Sequence, residues 1–110
     1  MSNFGYSTGK NVTMKNLTIL GATGSIGTNA LEVVARFPER FRVQALTAKA
    51  NIGLLAEQVK KFKPAMAVVY DEKGAEELQT LLPGDLEVSI RWGEEGYIAA
   101  ATLEASDIVV

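Results

Sequence analysis

The spacing of apolar and polar residues along this chain predicts alternating strands and helices. A short apolar run at residues 17–20 predicts a first strand. Residues 26–37 then place apolar side chains on one face at a period near 3.6, which predicts a helix. We expect this helix to end before Pro38, because the residue before a proline resists helical geometry. Its expected inward positions are Ile26, Ala30, Val33, Val34 and Phe37.

The rest of the chain repeats this pattern. Further strands are predicted at residues 41–48, 65–70, 87–92 and 107–110, and helices after Asn51 and at residues 73–82 and 93–103. Asn51 is the expected N-cap of the second helix. The expected inward residues are Ile52, Leu55, Val59 and Phe62 in the second helix and Ala75, Leu78, Leu81 and Leu82 in the third. The third strand is continuously apolar, as expected when both faces of a parallel sheet are covered.

Strands and helices that alternate in this way predict an α/β fold. We expect a Rossmann-like doubly wound parallel sheet in three layers, α/β/α, with strand order 3-2-1-4-5. Ligand is then expected above the carboxyl ends of strands 1, 2 and 4. Residues 14–110 form this domain, and residues 1–13 are expected to be a flexible extension or a non-native leader. Because the last residues form an apolar strand, we expect the chain to be the N-terminal piece of a longer enzyme.

A glycine turn, G-x-x-G-x-x-G from Gly21 to Gly27, connects the first strand to the first helix. Strand, tight turn and helix is the geometry that holds a phosphate on free backbone N–H groups at the helix start. Gly24 would let a ligand approach bare backbone, and Gly27 would let the helix pack close to the sheet. The alternative is a turn that only connects the strand to the helix. Such a connector would not need three glycines with Thr23 and Ser25 between them.

Composition narrows the classes of function. Hydrophobic residues at 47% and charged residues at 22% are ordinary for a soluble globular domain. The net charge of −2 does not favour non-specific nucleic-acid binding. The sequence has neither cysteine nor histidine, which removes thiolate sites and the commonest general base. No apolar run is long enough to cross a membrane, and the N-terminus lacks a signal-peptide core, so a cytoplasmic location is expected.

The end of the second strand favours NADP over NAD. An NAD enzyme of this fold places an acidic residue there to hold the ribose 2′-hydroxyl, and the count from the glycines reaches Thr47. From Phe41 to Asn51 no residue is acidic, and Lys49 could attract a 2′-phosphate. Thr47, Ala50 and Asn51 could instead hold that phosphate through hydroxyl, amide and backbone groups.

Other polar and aromatic candidates have structural interpretations. Asp71-Glu72 follows the third strand and is interpreted as a turn pair, because a phosphoacceptor domain would also need acids after the first strand. Trp92 and Tyr97 are interpreted as packing residues near the fourth helix, with stacking on a cofactor as the alternative, and Arg91 is interpreted as a solvated side chain.

Several stretches together resemble 1-deoxy-D-xylulose 5-phosphate reductoisomerases. The first is LTILGATGSIG at residues 17–27, followed by similar residues at 30–34, 37–43 and 45–48. A small-residue loop ending in Asn51 follows the second strand as in that family. The resemblance covers residues 14–110 and is strongest in the first half.

The resemblance implies an NADPH enzyme with a divalent metal, magnesium or manganese. Such an enzyme isomerises and reduces 1-deoxy-D-xylulose 5-phosphate to 2-C-methyl-D-erythritol 4-phosphate, in the non-mevalonate route to isoprenoids, and is typically a homodimer. The implied cofactor-binding residues are Thr23, Gly24, Ser25 and Ile26 at the pyrophosphate and Lys49, Ala50 and Asn51 around the adenosine phosphate. The family usually has glycine where Lys49 stands and often a basic residue where Ala50 stands.

The metal and substrate residues of the family lie beyond Val110. No catalytic or metal residue is therefore expected in this chain, which alone should bind cofactor without turning over the sugar phosphate. Two other classes remain open from the residues: the cofactor domain of another NADP dehydrogenase, of aspartate-semialdehyde or sugar-nucleotide type, and a non-catalytic nucleotide-binding module. Neither nucleic acid nor a membrane is an expected partner.

Overall fold

The computed structural model describes residues 14–110, so the predicted extension at residues 1–13 lies outside the described residues. The strands are β1 Lys15–Ile19, β2 Phe41–Thr47, β3 Met66–Val69, β4 Ser89–Trp92 and β5 Ile108–Val109. The helices are α1 Ser25–Arg36, α2 Ile52–Phe62, α3 Glu72–Leu81 and α4 Gly93–Ala101. Each predicted element is present, and the predicted α/β alternation is confirmed. None of the helices within residues 14–110 has the length and apolar character needed to cross a membrane.

All strands join one parallel five-stranded sheet, in the order β4-β3-β2-β1-β5. The predicted doubly wound α/β class and the central order 3-2-1 are confirmed. The predicted positions of the last two strands, in 3-2-1-4-5, are wrong. β4 pairs with β3 at one edge, and β5 takes the place beside β1.

The winding of the chain explains this difference. From β1 to β4 the chain steps in one direction, and right-handed crossovers then place α1, α2 and α3 on the same face. α4 carries the chain back to β5 across the opposite face. Local patterns do not encode at which βαβ unit this reversal occurs. The switch point therefore lies between β1 and β5, and the expected place of strand 4 beside strand 1 is taken by β5.

Two apolar layers hold the sheet between its helices. The larger layer packs α1, α2 and α3 against one face and contains the fully buried Ile19, Leu46 and Leu55. The smaller layer packs α4 against the other face through Ala100 and Val68. Every residue of β3 is buried, as its continuous apolar run predicts.

The buried face of α1 agrees only in part with the predicted one. Val34 is buried and Ala30 packs against the core, as predicted. Ile26 is 78% exposed, and Val33 and Phe37 are exposed as well, whereas the helix buries Gly27 and Leu31. Both sets have helical spacing, so periodicity does not choose between neighbouring stripes. The close approach of Gly27 to the preceding turn decides the rotation of the helix.

The predicted faces of the other helices are largely confirmed. In α2, Leu55 and Val59 are fully buried, and Ile52 and Phe62 pack against the same core. In α3, Ala75 and Leu78 are buried and Leu82 packs partly against the core, but Leu81 is exposed.

Candidate functional site

The glycine turn lies at the carboxyl edge of the sheet and is held by the end of β2. The Gly21 N–H donates to the Thr47 hydroxyl at 3.0 Å, and the Ala22 N–H donates to the Thr47 carbonyl at 2.7 Å. From α2, the buried side chain of Gln58 donates to the Ala22 carbonyl at 2.8 Å. The end of β2 and helix α2 therefore both hold the glycine turn in place.

The three glycines of the turn have different structural roles. Gly21 has φ +70°, a left-handed conformation that favours glycine. A Cβ on Gly27 would collide with the backbone of Gly21 and would lie 2.7 Å from the Ala22 Cα. Gly24 has φ −83°, and a Cβ there would lie 3.5 Å from the Gly21 carbonyl oxygen, an ordinary contact. The fold itself therefore does not require glycine at position 24, where the residue is exposed.

The start of α1 offers unpaired backbone donors. Gly24 is the N-cap, and no side chain caps the helix. No acidic residue lies in the first turn of α1. The first N–H groups of a helix lack partners within it, and the helix dipole is positive at this end. Together these features suit an anion such as a phosphate.

A second loop, residues 48–51, lies beside the glycine turn at the end of β2. The Ala48 N–H donates to the Val68 carbonyl at 2.9 Å, and the Thr23 hydroxyl donates to the Ala50 carbonyl at 3.1 Å. Asn51 has φ 60°, and its side-chain oxygen accepts from the Leu54 N–H at 3.3 Å. The predicted N-cap is thus confirmed, and the Lys49 side chain stays exposed between fixed neighbours.

The turn and the 48–51 loop open onto one cavity of about 600 Å³. Its lining comprises Leu20, Gly21, Thr23, Gly24, Thr47, Ala48, Lys49, Ala50, Tyr97, Ile98 and Ala101. Of the predicted site residues, Thr23, Gly24, Lys49 and Ala50 thus share one cavity. Ser25, Ile26 and Asn51 flank it, at the starts of α1 and α2.

The sequence interpretation missed the wall contributed by α4. Tyr97 and Ile98 line the cavity, and the Tyr97 hydroxyl donates to the Ala48 carbonyl at 3.0 Å. Burial, and to a lesser extent the neighbouring Tyr70, raises the pKa of Tyr97 above its usual value. The sequence does contain one signal for these two residues, which is their position. Both lie about one turn into a helix that starts at the carboxyl edge of the sheet.

The remaining candidates lie away from this cavity. The Asp71 carboxylate accepts from the Gly74 N–H at 2.9 Å and caps α3, which confirms its interpretation as a turn aspartate. Arg91 is exposed, and Trp92, on the edge strand β4, is 46% exposed, so it packs through only part of its surface. Within residues 14–110, acidic side chains do not converge in a group that could hold a metal ion.

Comparisons with known proteins agree with this geometry. The family model for 1-deoxy-D-xylulose 5-phosphate reductoisomerase matches residues 17–110. The reductoisomerase of Desulfosudis oleivorans is 48% identical over 97 residues, and that of Moorella thermoacetica is 51% identical over 96. These alignments cover 88% and 87% of this chain but 25% of each relative. The chain therefore spans about a quarter of the length of these curated relatives.

Solved structures give the same result at the level of the fold. A crystal structure of DOX-P reductoisomerase with NADPH, fosmidomycin and magnesium matches with a TM-score of 0.81 at 34% identity, over 87% of this chain and 24% of that one. The Zymomonas mobilis enzyme in complex with NADPH matches with a TM-score of 0.78 at 34% identity, over 84% of this chain and 24% of that one. Sequence and structure agree, and the chain belongs to the 1-deoxy-D-xylulose 5-phosphate reductoisomerase family.

Proposed function

We propose that this chain is the NADPH-binding domain of an enzyme that isomerises and reduces 1-deoxy-D-xylulose 5-phosphate to 2-C-methyl-D-erythritol 4-phosphate. The observation that carries the proposal is that two features line one cavity: the uncapped start of α1 and the 48–51 loop, which has no acidic residue. The structural relatives named above include complexes with NADPH, which supports the same cofactor here.

The described residues fit the phosphates of this cofactor. Thr23, Gly24, Ser25 and Ile26 would hold the pyrophosphate, because they form the turn and the open first turn of α1. Gly24 supports this assignment, since the fold would accept a Cβ at that position and a phosphate approaching the backbone would not. The bound cofactor supplies a hydride, and this chain contributes binding and orientation.

Lys49, Ala50 and Asn51 would surround the adenosine 2′-phosphate. Residues 41–51 contain no acid that would repel it, and Lys49 is exposed beside the cavity. The side-chain oxygen of Asn51 is committed to capping α2, so its amide NH₂ group is the part free to donate. Thr47 is 1% exposed, and its hydroxyl accepts from Gly21, so its first role is to fix the turn.

The divalent metal and the sugar-phosphate substrate would be bound by residues outside this chain. Within residues 14–110 the acidic side chains form no cluster suited to a metal ion. We therefore propose that the 110-residue chain binds NADPH but does not oxidise it when given deoxyxylulose phosphate and manganese, and steady loss of NADPH absorbance would contradict this. A homodimeric, cytoplasmic enzyme is the expected context of the domain.

Paired calorimetric titrations of NADPH and NADH at low salt test the proposed function. We expect the parent chain to bind NADPH more tightly, because NADH has no 2′-phosphate for the 48–51 loop. Lys49→Ala should reduce NADPH affinity by about three- to tenfold, the scale of one charge-assisted contact at a surface. Lys73→Ala is the matched control, because Lys73 is also exposed but lies in α3.

The outcomes separate the two parts of the proposal. Equal affinity of the parent chain for NADPH and NADH would contradict the assignment of NADP as the cofactor. A preference for NADPH that Lys49→Ala leaves intact would remove only the role of the lysine and assign the 2′-phosphate to Ala50 and Asn51.

A further inference from the structure

The cavity has two chemically different walls. One wall, formed by the glycine turn and residues 48–50, presents backbone groups, the Thr23 hydroxyl and the Lys49 ammonium. The opposite wall is apolar and is formed by Leu20 with three residues of α4, namely Tyr97, Ile98 and Ala101. A nucleotide has the same division, since its phosphates are polar and its base has apolar faces.

Tyr97 is the residue that joins these two walls. Its hydroxyl donates to the Ala48 carbonyl at 3.0 Å and so connects α4 to the loop that follows β2. Ala48 is 1% exposed. A buried carbonyl that loses its donor is costly, so without this hydroxyl the loop must shift to find water or another partner.

The 48–51 loop is thereby fixed on both sides of Lys49. The Tyr97 hydroxyl holds the carbonyl that precedes Lys49, and the Thr23 hydroxyl holds the Ala50 carbonyl that follows it, at 3.1 Å. Carbonyls that point toward these hydroxyls cannot point toward a bound phosphate. The Ala48 N–H is bonded to the Val68 carbonyl. Because the two carbonyls are turned away, the N–H groups that follow Ala48 and the side chains of the loop are left to face the anion.

We propose that Tyr97 is a specificity-determining positioning residue: its hydroxyl holds the 48–51 loop in the shape that accepts a 2′-phosphate, and its ring forms the apolar wall for the adenine. This inference rests on the proposed function. The hydroxyl acts only through the loop, so its removal should affect the nucleotide with the 2′-phosphate and spare the one without it.

Tyr97→Phe tests the hydroxyl alone, because phenylalanine keeps the ring and the apolar wall. We expect the dissociation constant for NADPH to rise about two- to tenfold, the value of one hydrogen bond. The constant for NADH should stay within about twofold of the parent, so the ratio between the two constants shrinks. A general loss of stability would not change that ratio selectively.

Two further variants make the test specific. Tyr70→Phe is the matched control, because it removes the hydroxyl of a neighbouring tyrosine that is 63% exposed, and it should leave both dissociation constants unchanged. Placing 4-aminophenylalanine at position 97 restores an N–H donor at the same place on the ring, and it should recover the parent ratio. Circular dichroism on each variant establishes that the compared chains are folded.

The outcomes distinguish this inference from the proposed function. If the parent prefers NADPH and Tyr97→Phe keeps the same preference, the positioning role of Tyr97 is wrong and the cofactor assignment stands. If Tyr97→Phe weakens NADPH and NADH equally, the hydroxyl does not act through the 2′-phosphate loop, and the inference is again wrong. A parent chain that binds neither nucleotide overturns both.

Discussion

The starts of α1 and α3 both follow an extended N-cap residue but have opposite chemistry. Gly24 and Asp71 are both extended N-cap residues, and each is followed three residues later by a glycine, Gly27 or Gly74. At α3 the Asp71 carboxylate accepts from the Gly74 N–H at 2.9 Å, and Glu72 adds negative charge to the first turn. At α1 neither a capping side chain nor a first-turn acid is present.

This difference is the reason why we propose the phosphate site at the start of α1 and not at the start of α3. α3 satisfies its own donors and complements its own dipole, so it has little left to offer an anion. α1 leaves the same donors open beside a second loop and a cavity. An uncapped start alone is not sufficient, because α4 also lacks a side-chain cap but carries Glu94 and Glu95 in its first turn.

The largest effect is expected from a substitution that gives the start of α1 the side-chain cap found at the start of α3. Gly24→Asp would give α1 the cap of α3, with the new carboxylate accepting from the Gly27 N–H. We expect a gain of about 0.5 kcal/mol in the free energy of unfolding. NADPH affinity should fall about 100-fold or more, because a fixed negative charge and lost amide contacts oppose the pyrophosphate.

Gly24→Val accompanies this test and blocks the approach by bulk without adding charge. Calorimetry gives the affinity, and urea unfolding gives the stability. Wild-type NADPH binding by both variants would show that the pyrophosphate does not approach Gly24.

The two glycines at the third helical position should respond differently to a methyl group. Gly27→Ala forces a Cβ into the backbone of Gly21 and Ala22, so we expect a loss of about 1–3 kcal/mol in unfolding free energy. A Cβ on Gly74 would meet movable side chains instead, with Asp71 Oδ1 at 3.3 Å. Gly74→Ala should therefore change stability by less than about 1 kcal/mol. Equal losses in urea unfolding would contradict the close packing assigned to Gly27.

Removal of the cap on α3 should affect stability and leave binding intact. Asp71→Ala takes away the acceptor for the Gly74 N–H, and we expect a loss of about 1 kcal/mol in unfolding free energy. NADPH affinity should stay at the parent value, because α3 begins away from the cavity. A drop in affinity with the fold intact would show that the α3 start takes part in binding.

The smallest expected effect concerns Tyr97, which completes the α1 site and has no equivalent at α3. Because burial, with Tyr70, raises the pKa of Tyr97, the neutral hydroxyl is favoured in the folded state. The neutral Tyr97 hydroxyl contributes fully to stability below about pH 10, the pKa of tyrosine in the unfolded chain. This contribution is lost as the pH rises through the higher pKa of Tyr97 in the folded chain. The difference in unfolding free energy between the parent and Tyr97→Phe should thus narrow above about pH 10. A difference independent of pH would exclude this linkage.

Local chemistry accounts for the features that the sequence predicted well. Pro38 follows the end of α1, Asn51 is a good cap, and the glycines of the turn need special geometry or close approach. These preferences act within a few residues, so they are visible in the chain itself. The glycine turn and the 48–51 loop were predictable as candidate binding segments for this reason, together with their family resemblance.

Contacts between distant segments decided the rest. The amphipathic pattern of α1 admits two neighbouring stripes, and the packing of Gly27 against the turn selects the one that exposes Ile26. The strand order depends on which helices cover which strands. This packing decides where the chain reverses its direction across the sheet, and the reversal places β5 beside β1. Tyr97 enters the cavity only because α4 crosses the opposite face of the sheet. The sequence by itself determined the elements and the glycine turn, since these follow from backbone preferences, whereas the second wall of the cavity depends on a contact between residues 49 positions apart.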